Sequence, residues 1–326
     1  MAAQFAPKQL VPIDSAALKE FLGTATEDIA YAALRPLVPL ADGSHVHDNG
    51  CGAGAVSSAL FALHASSSSP TASASASSSS PSSPPSTSTP RFRVSATDKD
   101  PAPLSALAAR ARREGWGAHV EGRQADSAGL GLFADDAFSL SVTNFVLLQA
   151  WPHDGACATE IYRTLRPGGL AVVTAWEDLP TMAVFCQAHR RLRPQPGDDG
   201  GRAEERGRGE GEGEDGDLPP MLRMHWYGGQ YVRKALLDAG FDEGRIRVES
   251  YGTRVRIHDA RRWCEIGWTL CGAGSAGWTV DDEVRWDERI DTALEILVAG
   301  PWYERDQASQ NSGWLTFTAS ATLATK

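Results

Sequence analysis

Short β-like runs alternate with helical patterns along most of this 326-residue chain. Such alternation is typical of an α/β fold, in which crossover helices connect the strands of a mostly parallel sheet. Seven runs predict strands, at 44–49, 92–97, 118–121, 138–145, 169–176, 245–251 and 314–321. The last two are expected to pair as an antiparallel hairpin at the sheet edge, which gives a doubly wound seven-stranded sheet with an antiparallel last strand.

Helical patterns lie between these runs, at 53–63, 101–114, 155–165 and 230–239. An N-terminal helical stretch at 15–34 is expected to stop before Pro36, because the residue before a proline disfavours helix. The segment 260–300 predicts further helices, which are rich in tryptophan. The sequence therefore predicts a Rossmann-like α/β fold.

Two segments differ from the rest in composition. The stretch 65–90 is almost entirely Ser, Ala, Thr and Pro and has no aromatic residue, which is typical of a disordered or extended chain. The stretch 194–220 combines glycine with charge and predicts a flexible loop. We interpret both as insertions into one domain spanning 1–326, whose other parts include an N-terminal helical cap (1–43) and a tryptophan-rich last part (221–326).

Charge and leader patterns exclude several classes of protein. The formal net charge of −10 argues against a broad basic surface for nucleic acid. Residues 1–30 lack a secretory leader pattern, and no run of eighteen apolar residues occurs. The five cysteines form no C-x-x-C pair, which favours a reducing compartment. We expect a soluble cytoplasmic protein that binds neither nucleic acid nor membrane, and the sequence leaves monomer and homodimer open.

The glycine turn "HDNGCGAG", residues 47–54, lies between a predicted strand and a predicted helix. Glycines let a backbone approach a ligand closely, and a helix N-terminus directs N–H groups at it. Asp98 ends the next strand, where an acid can accept hydrogen bonds from ribose hydroxyls. The spacing from Asp48 to Asp98 fits a nucleotide-cofactor fingerprint of roughly 20 residues once the Ser-rich insertion is removed. A turn needed only for tight packing is the alternative.

Five stretches in order carry a family resemblance, and they span roughly 44–177: "VHDNGCGAG", "VSATDKDP", "GRQADSAGL", "DDAFSLSVTNFVLLQ" and "EIYRTLRPGGLAVVTAW". This set resembles the motifs of class I S-adenosylmethionine (SAM) dependent methyltransferases, and "LRPGG" is its most specific piece. "LLDAGF" and the terminal "SGWLTFTASATLATK" fit the same family more loosely. The resemblance implies a methyltransferase with SAM as cofactor and a small molecule as substrate.

The resemblance also implies roles for individual residues. The glycines would line the methionine half of SAM, with Asp48 near its amino group, Asp98 at the ribose, and Asp126 with Ser127 at the adenine. The implied cofactor set is Asp48, Asn49, Gly50, Cys51, Gly52, Gly54, Asp98, Lys99, Asp126, Ser127, Asn144 and Phe145. As alternatives, Asp98 could cap the following helix and Asp126 could be a turn residue.

Candidate catalytic and substrate residues follow the fourth and fifth strands and continue into the last third. His153 is the first candidate for a general base and His225 the second, because imidazole titrates near neutrality. A helix start capped by Asp154 and an ordinary surface histidine are the respective alternatives. The predicted substrate pocket comprises Gln149, Trp151, Trp176, Trp226, Tyr227 and Trp263.

Tryptophans are concentrated in the last third, which covers the substrate in this family. Large flat side chains can line an apolar or aromatic pocket, although Trp263 and Trp268 could equally pack a helix onto the sheet. The "HDN-x-C-G" form of the glycine turn and this tryptophan-rich part resemble fungal secondary-metabolite methyltransferases. That resemblance implies methylation of an O, N or S atom of a small apolar or aromatic molecule.

Other functions compete with this interpretation. A nicotinamide oxidoreductase of the short-chain type needs a Tyr-x-x-x-Lys pair, which is missing here. No acidic cluster predicts a metal, and the prolines of the nucleic-acid amino-methyltransferase motif are missing after Asn144. An enzyme acting on a protein or peptide and a non-catalytic methyltransferase-like regulator stay open, although intact glycines and acids count against the regulator.

Overall fold

One mixed β-sheet forms the framework of the chain. The computed structural model describes residues 5–67, 90–150, 152–192, 228–273, 277–307, 309 and 311–326. The strands in these residues are β1 (His45–Asn49), β2 (Arg93–Asp98), β3 (Val120–Gln124), β4 (Phe138–Asn144), β5 (Leu165–Asp178), β6 (Ile246–Ile257), β7 (Tyr303–Arg305) and β8 (Gly313–Thr325).

Helices connect most of the strands and follow the apolar periodicity of the sequence. The α-helices in the described residues are α1 (Ser15–Leu22), α2 (Ala25–Leu34), α3 (Ala55–Ser67), α4 (Pro101–Glu114), α5 (Asp154–Thr164), α6 (Pro180–Leu192), α7 (Gly229–Asp238), α8 (Ala260–Cys271), α9 (Val280–Val284) and α10 (Trp286–Ala299). None of these described helices is both long and apolar enough to span a bilayer.

The strand order is β3-β2-β1-β4-β5-β8-β6, with β7 paired to β8 in the antiparallel sense. Strands β1 to β5 pair in parallel. The prediction of a doubly wound, mostly parallel sheet with an antiparallel edge is confirmed. The chain winds outward from β1 in one direction and from β4 in the other, and such a reversal opens a crevice at the carboxyl ends of the strands.

Several boundaries differ from the sequence predictions. The N-terminal stretch forms two helices, because Gly23 adopts φ +57° and its N–H caps α1 by bonding to the Lys19 carbonyl. Helix α3 continues to Ser67, so the first residues of the predicted disordered stretch 65–90 are helical. Residues 68–89 of that stretch and 194–220 lie outside the described residues. Helix α6 and strand β7 were not predicted, although α6 buries Phe185, Ala188 and Leu192 at helical spacing.

The chain divides into two compact units, and the larger one comprises Thr26–Glu177, Tyr227–Tyr251 and Ala319–Lys326. On one face of its sheet, Val46, Val94 and Val142 pack with apolar side chains of α3 and α4. On the other face, α5 and α7 cover β4 and β5. This packing fixes the strand ends of β1 to β4 relative to one another.

The smaller unit comprises Met1–Ala25, Asp178–Trp226 and Gly252–Thr318. Its core is aromatic: Trp263 stacks on Phe21 with ring centroids 4.8 Å apart and on Phe185 at 5.5 Å. The indole N–H of Trp263 donates to the Phe21 carbonyl at 3.0 Å, so its polar atom is satisfied inside the core. The single-domain interpretation of 1–326 stays a prediction.

Candidate functional site

A cleft of about 510 Å³ lies in the larger unit at the carboxyl ends of β1 to β4. This is the crevice expected where the strand order reverses, and its volume falls within the range of small-molecule sites, roughly 300–1,000 Å³. The cleft brings together these predicted residues: Asp48, Gly50, Cys51, Gly52, Asp98, Lys99, Asp126, Ser127, Asn144, Phe145, Gln149 and His153. Residues separated by more than 100 positions in sequence therefore share one site.

The glycine turn after β1 requires glycine for two different reasons. Gly50 has φ +69°, and a Cβ there would lie 2.5 Å from Cγ2 of Val146, so a side chain has no room. Gly52 has φ +52° but faces open space, where a Cβ would meet no atom within 4 Å. The Cys51 N–H donates to the Thr97 carbonyl at 2.8 Å, which ties the turn to β2. The turn is thus fixed in a left-handed backbone conformation with bare backbone at the cleft.

Asp48 is buried beneath this turn. Its Oδ2 accepts hydrogen bonds from the Ser57 N–H at 3.1 Å and the Ser57 hydroxyl at 2.6 Å, so the start of α3 holds the carboxylate. Burial and, to a lesser degree, the nearby Asp98 raise the pKa of Asp48 to about 6, against the opposing effect of the Ser57 hydrogen bonds. An ammonium group beside Asp48 would stabilise its ionised form and lower its pKa.

Asp98 ends β2 and faces the glycine turn. Its Oδ2 accepts from the Gly52 N–H at 3.0 Å, and its Oδ1 accepts from the Asp100 N–H at 3.1 Å. The N-cap position of α4 is Asp100, so Asp98 does not fill it. The carboxylate therefore contacts backbone N–H groups on both sides and borders the cleft.

Asp126 and Ser127 follow β3 in a tight turn. Asp126 Oδ1 accepts from the Ala128 N–H at 2.8 Å, so the turn alternative for this residue describes its local contact. Both residues also line the cleft, which a purely local role does not require. Among the described residues, Lys99 is the one lysine that lines the cleft, and its carbonyl accepts from the Gln124 side chain at 2.8 Å.

The carboxyl end of β4 is held by Thr174 of β5. The Thr174 hydroxyl donates to Asn144 Oδ1 at 2.7 Å and accepts from the Phe145 N–H at 3.0 Å. Phe145 has φ +61°, an uncommon value for an aromatic residue, and its ring stacks on Trp176 at 3.9 Å. Observed strain of this kind concentrates at functional sites.

His153 is exposed, lines the cleft and occupies the N-cap position of α5, where its side chain forms no capping hydrogen bond. Asp154 follows in the first turn and does not act as the cap; its carboxylate accepts from the Tyr231 hydroxyl instead. The imidazole of His153 is therefore not committed to capping the helix.

Some predicted residues lie elsewhere. Asn49 is buried between strands and donates to Thr143 Oγ1 at 3.2 Å, and Gly54 packs under Leu107. Trp263 belongs to the aromatic core of the smaller unit, as the packing alternative predicts, and Trp268 is fully buried as well. Trp151, His225, Trp226 and Tyr227 lie outside the described residues.

Thr26 and Glu27 of α2 also line the cleft and were missed. Arg110 of α4 donates to both carboxylate oxygens of Glu27, at 2.7 and 3.3 Å, and to the Ser58 hydroxyl of α3 at 2.8 Å. This arginine connects three helices around the glycine turn. The acidic first turn of α2 was visible in the sequence, but its partner lies 83 residues away.

Carboxylates dominate the charge of the cleft. Its lining contains the acids Glu27, Asp48, Asp98 and Asp126. Cys51 also lines the cleft, but burial, with Asp48 nearby, raises the pKa of its thiol well above the usual range, so it stays protonated. In the part of the chain that the structure describes, no group of three or more His, Cys, Asp or Glu side chains could hold a metal.

These acidic side chains and the glycine backbone fit SAM. The cofactor carries a sulfonium and an ammonium group, which an acidic cleft attracts, and a ribose diol and an exocyclic amine, which carboxylates accept. The open space at Gly52 gives such a ligand access to backbone.

Comparisons with known proteins agree with this geometry. Residues 82–173 match the family model of a methyltransferase domain, a segment that contains Asp98, Asp126 and Asn144 and leaves the glycine turn outside. A search of curated proteins finds no match.

Among solved structures, a "putative methyltransferase" from Bacillus halodurans is 14% identical, with a TM-score of 0.51, and the match covers 91% of this chain and 98% of that one. The YcgJ protein of Bacillus subtilis is 13% identical, with a TM-score of 0.50 and coverage of 92% and 98%. At these identities the likeness shows the fold. The matched methyltransferase domain, together with this fold, supports a SAM-dependent methyltransferase that uses SAM as its cofactor.

Proposed function

We propose that this enzyme transfers the methyl group of SAM to an O, N or S atom of a small apolar or aromatic molecule. The observation that supports it best is the cleft itself. Carboxylates stand at the ends of three neighbouring strands, and the same cleft continues past Phe145 to Gln149 and His153. One end is thus suited to the cofactor and the other to an acceptor.

On this proposal the cofactor end is divided among three acids. Asp48 receives the ammonium group, Asp98 the ribose hydroxyls, and Asp126 with Ser127 the adenine. Each lies at the carboxyl end of its strand and lines the cleft. The backbone of Gly50 and Gly52 lines the same cleft and has no side chain to block a ligand. Asp98 accepts one backbone N–H on each oxygen, which leaves lone pairs on both oxygens for the ribose hydroxyls.

SAM supplies a methyl group on a positively charged sulfur, which needs a nucleophile held in line with it. The chain's contribution is therefore alignment, exclusion of water and, for a hydroxyl or thiol, removal of a proton. We assign proton removal to His153, whose ring is exposed at the cleft, and orientation of the acceptor to Gln149. Phe145, Val146 and Ala150 give this end an apolar surface.

We base the substrate class on that apolar surface of the cleft, which favours an apolar or aromatic acceptor. We infer a soluble cytoplasmic enzyme acting on a small molecule, with 1–326 as one methyltransferase domain. A protein or peptide substrate and a non-catalytic regulator are the competing hypotheses, and each predicts a different outcome below.

The first experiment is calorimetric titration of the full chain with SAM, S-adenosylhomocysteine and NADH in parallel. We expect micromolar binding of both sulfur compounds and none of NADH. Failure of both sulfur compounds to bind would overturn the cofactor assignment and favour the regulator.

Radiolabelled SAM then tests the acceptor. Panels of phenols, aromatic amines and aromatic thiols are compared with a mixture of peptides at equal concentration. Label in a small aromatic acceptor, reduced in His153→Asn with unchanged SAM affinity, supports the proposal. Label only in peptides would overturn the substrate class.

A further inference from the structure

The sheet of the larger unit has one unusually polar region. Parallel pairing aligns His45 with Arg93, His47 with Ser95, and Ser95 with Glu121, so these side chains project from the same face. The alternate residues Val46, Val94 and Ala96 project from the opposite face into the core. A doubly wound sheet normally buries both faces under helices, and its strands are then apolar throughout.

The connection between β3 and β4 explains this polarity. All residues from 125 to 137 are described, and none of them is helical. Where a crossover helix would cover β1 to β3, the polar face instead carries an open groove of about 340 Å³. We call it the arginine groove; its polar and aromatic lining comprises His45, Arg93, Ser95, His119, Glu121, Arg123 and Phe133. None of its lining residues lines the cofactor cleft.

The contact with Arg93 indicates which ring nitrogen of His45 carries the proton. A guanidinium can only donate, so its contact of 3.2 Å with His45 Nδ1 requires that nitrogen to accept. The proton of the neutral ring then lies on Nε2, which donates to the Ser95 hydroxyl at 2.8 Å. Burial, with Arg93 nearby, lowers the pKa of His45, in agreement with a neutral ring. Ser95 thus accepts from His45 and keeps its own proton for another acceptor.

Charge in the groove has the opposite sign to that of the whole chain. Arg123 forms an ion pair with Glu121 at 2.8 Å and lies over the Phe133 ring. Arg93 forms no ion pair with a carboxylate among the residues that the structure describes. One guanidinium is therefore uncompensated, beside a second guanidinium and a hydroxyl donor, in a protein of net charge −10.

We propose that the arginine groove is a second ligand site, which binds a small oxyanion, a carboxylate or a phosphate. Guanidinium groups recognise both through paired N–H donors, and Ser95 adds a third donor between the two arginines. The Phe133 ring gives the groove an apolar side, so a ligand with an organic body is favoured over a bare ion. This site is separate from the methyl-transfer cleft and does not depend on the proposed function.

The test follows the arginine Nε–H signals of the full chain by NMR while inorganic phosphate or benzoate is added at constant ionic strength. Arg93→Gln and Arg123→Gln identify the two signals by their loss. We expect both signals to shift saturably with at least one anion, with Kd at or below about 10 mM. In Arg93→Gln, the Kd measured from the Arg123 signal should rise by about tenfold.

Arg113→Gln is the matched control, since Arg113 lies on α4, is exposed and pairs with Glu114. It should bind the anions as the unchanged chain does, and Arg93→Gln should retain its affinity for SAM. Saturation by benzoate alone identifies a carboxylate site, and saturation by phosphate alone identifies a phosphate site. Linear, non-saturating shifts with both anions, or equal binding by Arg93→Gln, would overturn the proposal.

Discussion

Asp98 is the residue on which the ribose assignment depends. Replacing it with alanine removes a carboxylate that already accepts two backbone N–H groups, one of them from Gly52. Hydrogen bonds to charged groups are worth about 1.5–3 kcal/mol, so the Kd for SAM should rise by about tenfold or more. Asp100→Ala is the control, since Asp100 does not line the cleft. Calorimetry on both folded variants checks this, and an unchanged Kd for Asp98→Ala contradicts the assignment.

Two glycines of the same turn should respond differently to alanine. Gly50→Ala introduces both a strained φ and a clash with Val146, whereas Gly52→Ala introduces strain alone. Strained backbone costs about 1–3 kcal/mol, so both variants lose stability and Gly50→Ala loses more. Urea denaturation of both variants measures their stabilities. A lower midpoint for Gly52→Ala than for Gly50→Ala would contradict the prediction. Because Gly52 lines the cleft, its variant should also bind SAM more weakly.

The sequence predicts the position of a site residue when that residue lies at the end of a recognisable strand. Asp48, Asp98 and Asp126 each follow a recognisable strand, and parallel strands bring their carboxyl ends to one edge. Glu27 could not be placed this way, because its position depends on Arg110, 83 residues away. Trp263 shows the opposite case: its composition suggested a pocket, but its polar atom is satisfied within an aromatic core.

At the level of elements, β5 fixes the end of β4 through one hydroxyl. Thr174→Val keeps the shape but leaves the Phe145 N–H and Asn144 Oδ1 without this partner. A buried polar group that loses its partner costs about 1–3 kcal/mol, so the urea midpoint should fall and methyl transfer should slow. Thr174→Ser retains the hydroxyl and should keep most of both. An unchanged midpoint in Thr174→Val, or a larger loss in Thr174→Ser than in Thr174→Val, would contradict this role of the hydroxyl.

Elements with strong periodicity were predictable, and those governed by turn chemistry were not. Helix α4 begins at Pro101 and ends at Glu114 as predicted, because Pro101 opens it and Gly115, at φ +84°, closes it. Strand β3 begins two residues later than predicted, since 117–119 form a 3₁₀ turn in which the His119 N–H bonds to Trp116. No helix was predicted between β3 and β4, and residues 125–137 form none. The arginine groove is therefore left open.

On the scale of the whole molecule, two neighbouring buried groups give stability opposite dependences on pH. Burial lowers the pKa of His47 from 6.5 to about 3, so the unfolded chain binds a proton that the folded chain does not, and stability falls as pH falls through this range. Burial raises the pKa of Asp48 from 3.8 to about 6. Here the folded chain binds the extra proton, and stability rises as pH falls from about 6 to 4.

Asp48→Asn separates the two effects in the cofactor-free protein. Asparagine can still accept from Ser57, but it does not titrate, so only the His47 dependence remains from this pair. The variant should therefore lose stability on acidification more steeply than the unchanged chain, by roughly 2 kcal/mol between pH 6 and pH 4. Urea midpoints across this range measure the difference, with Asp100→Asn as an exposed control that should follow the unchanged chain. Parallel curves for Asp48→Asn and the unchanged chain would mean that Asp48 is already ionised at low pH, and that Ser57 outweighs its burial.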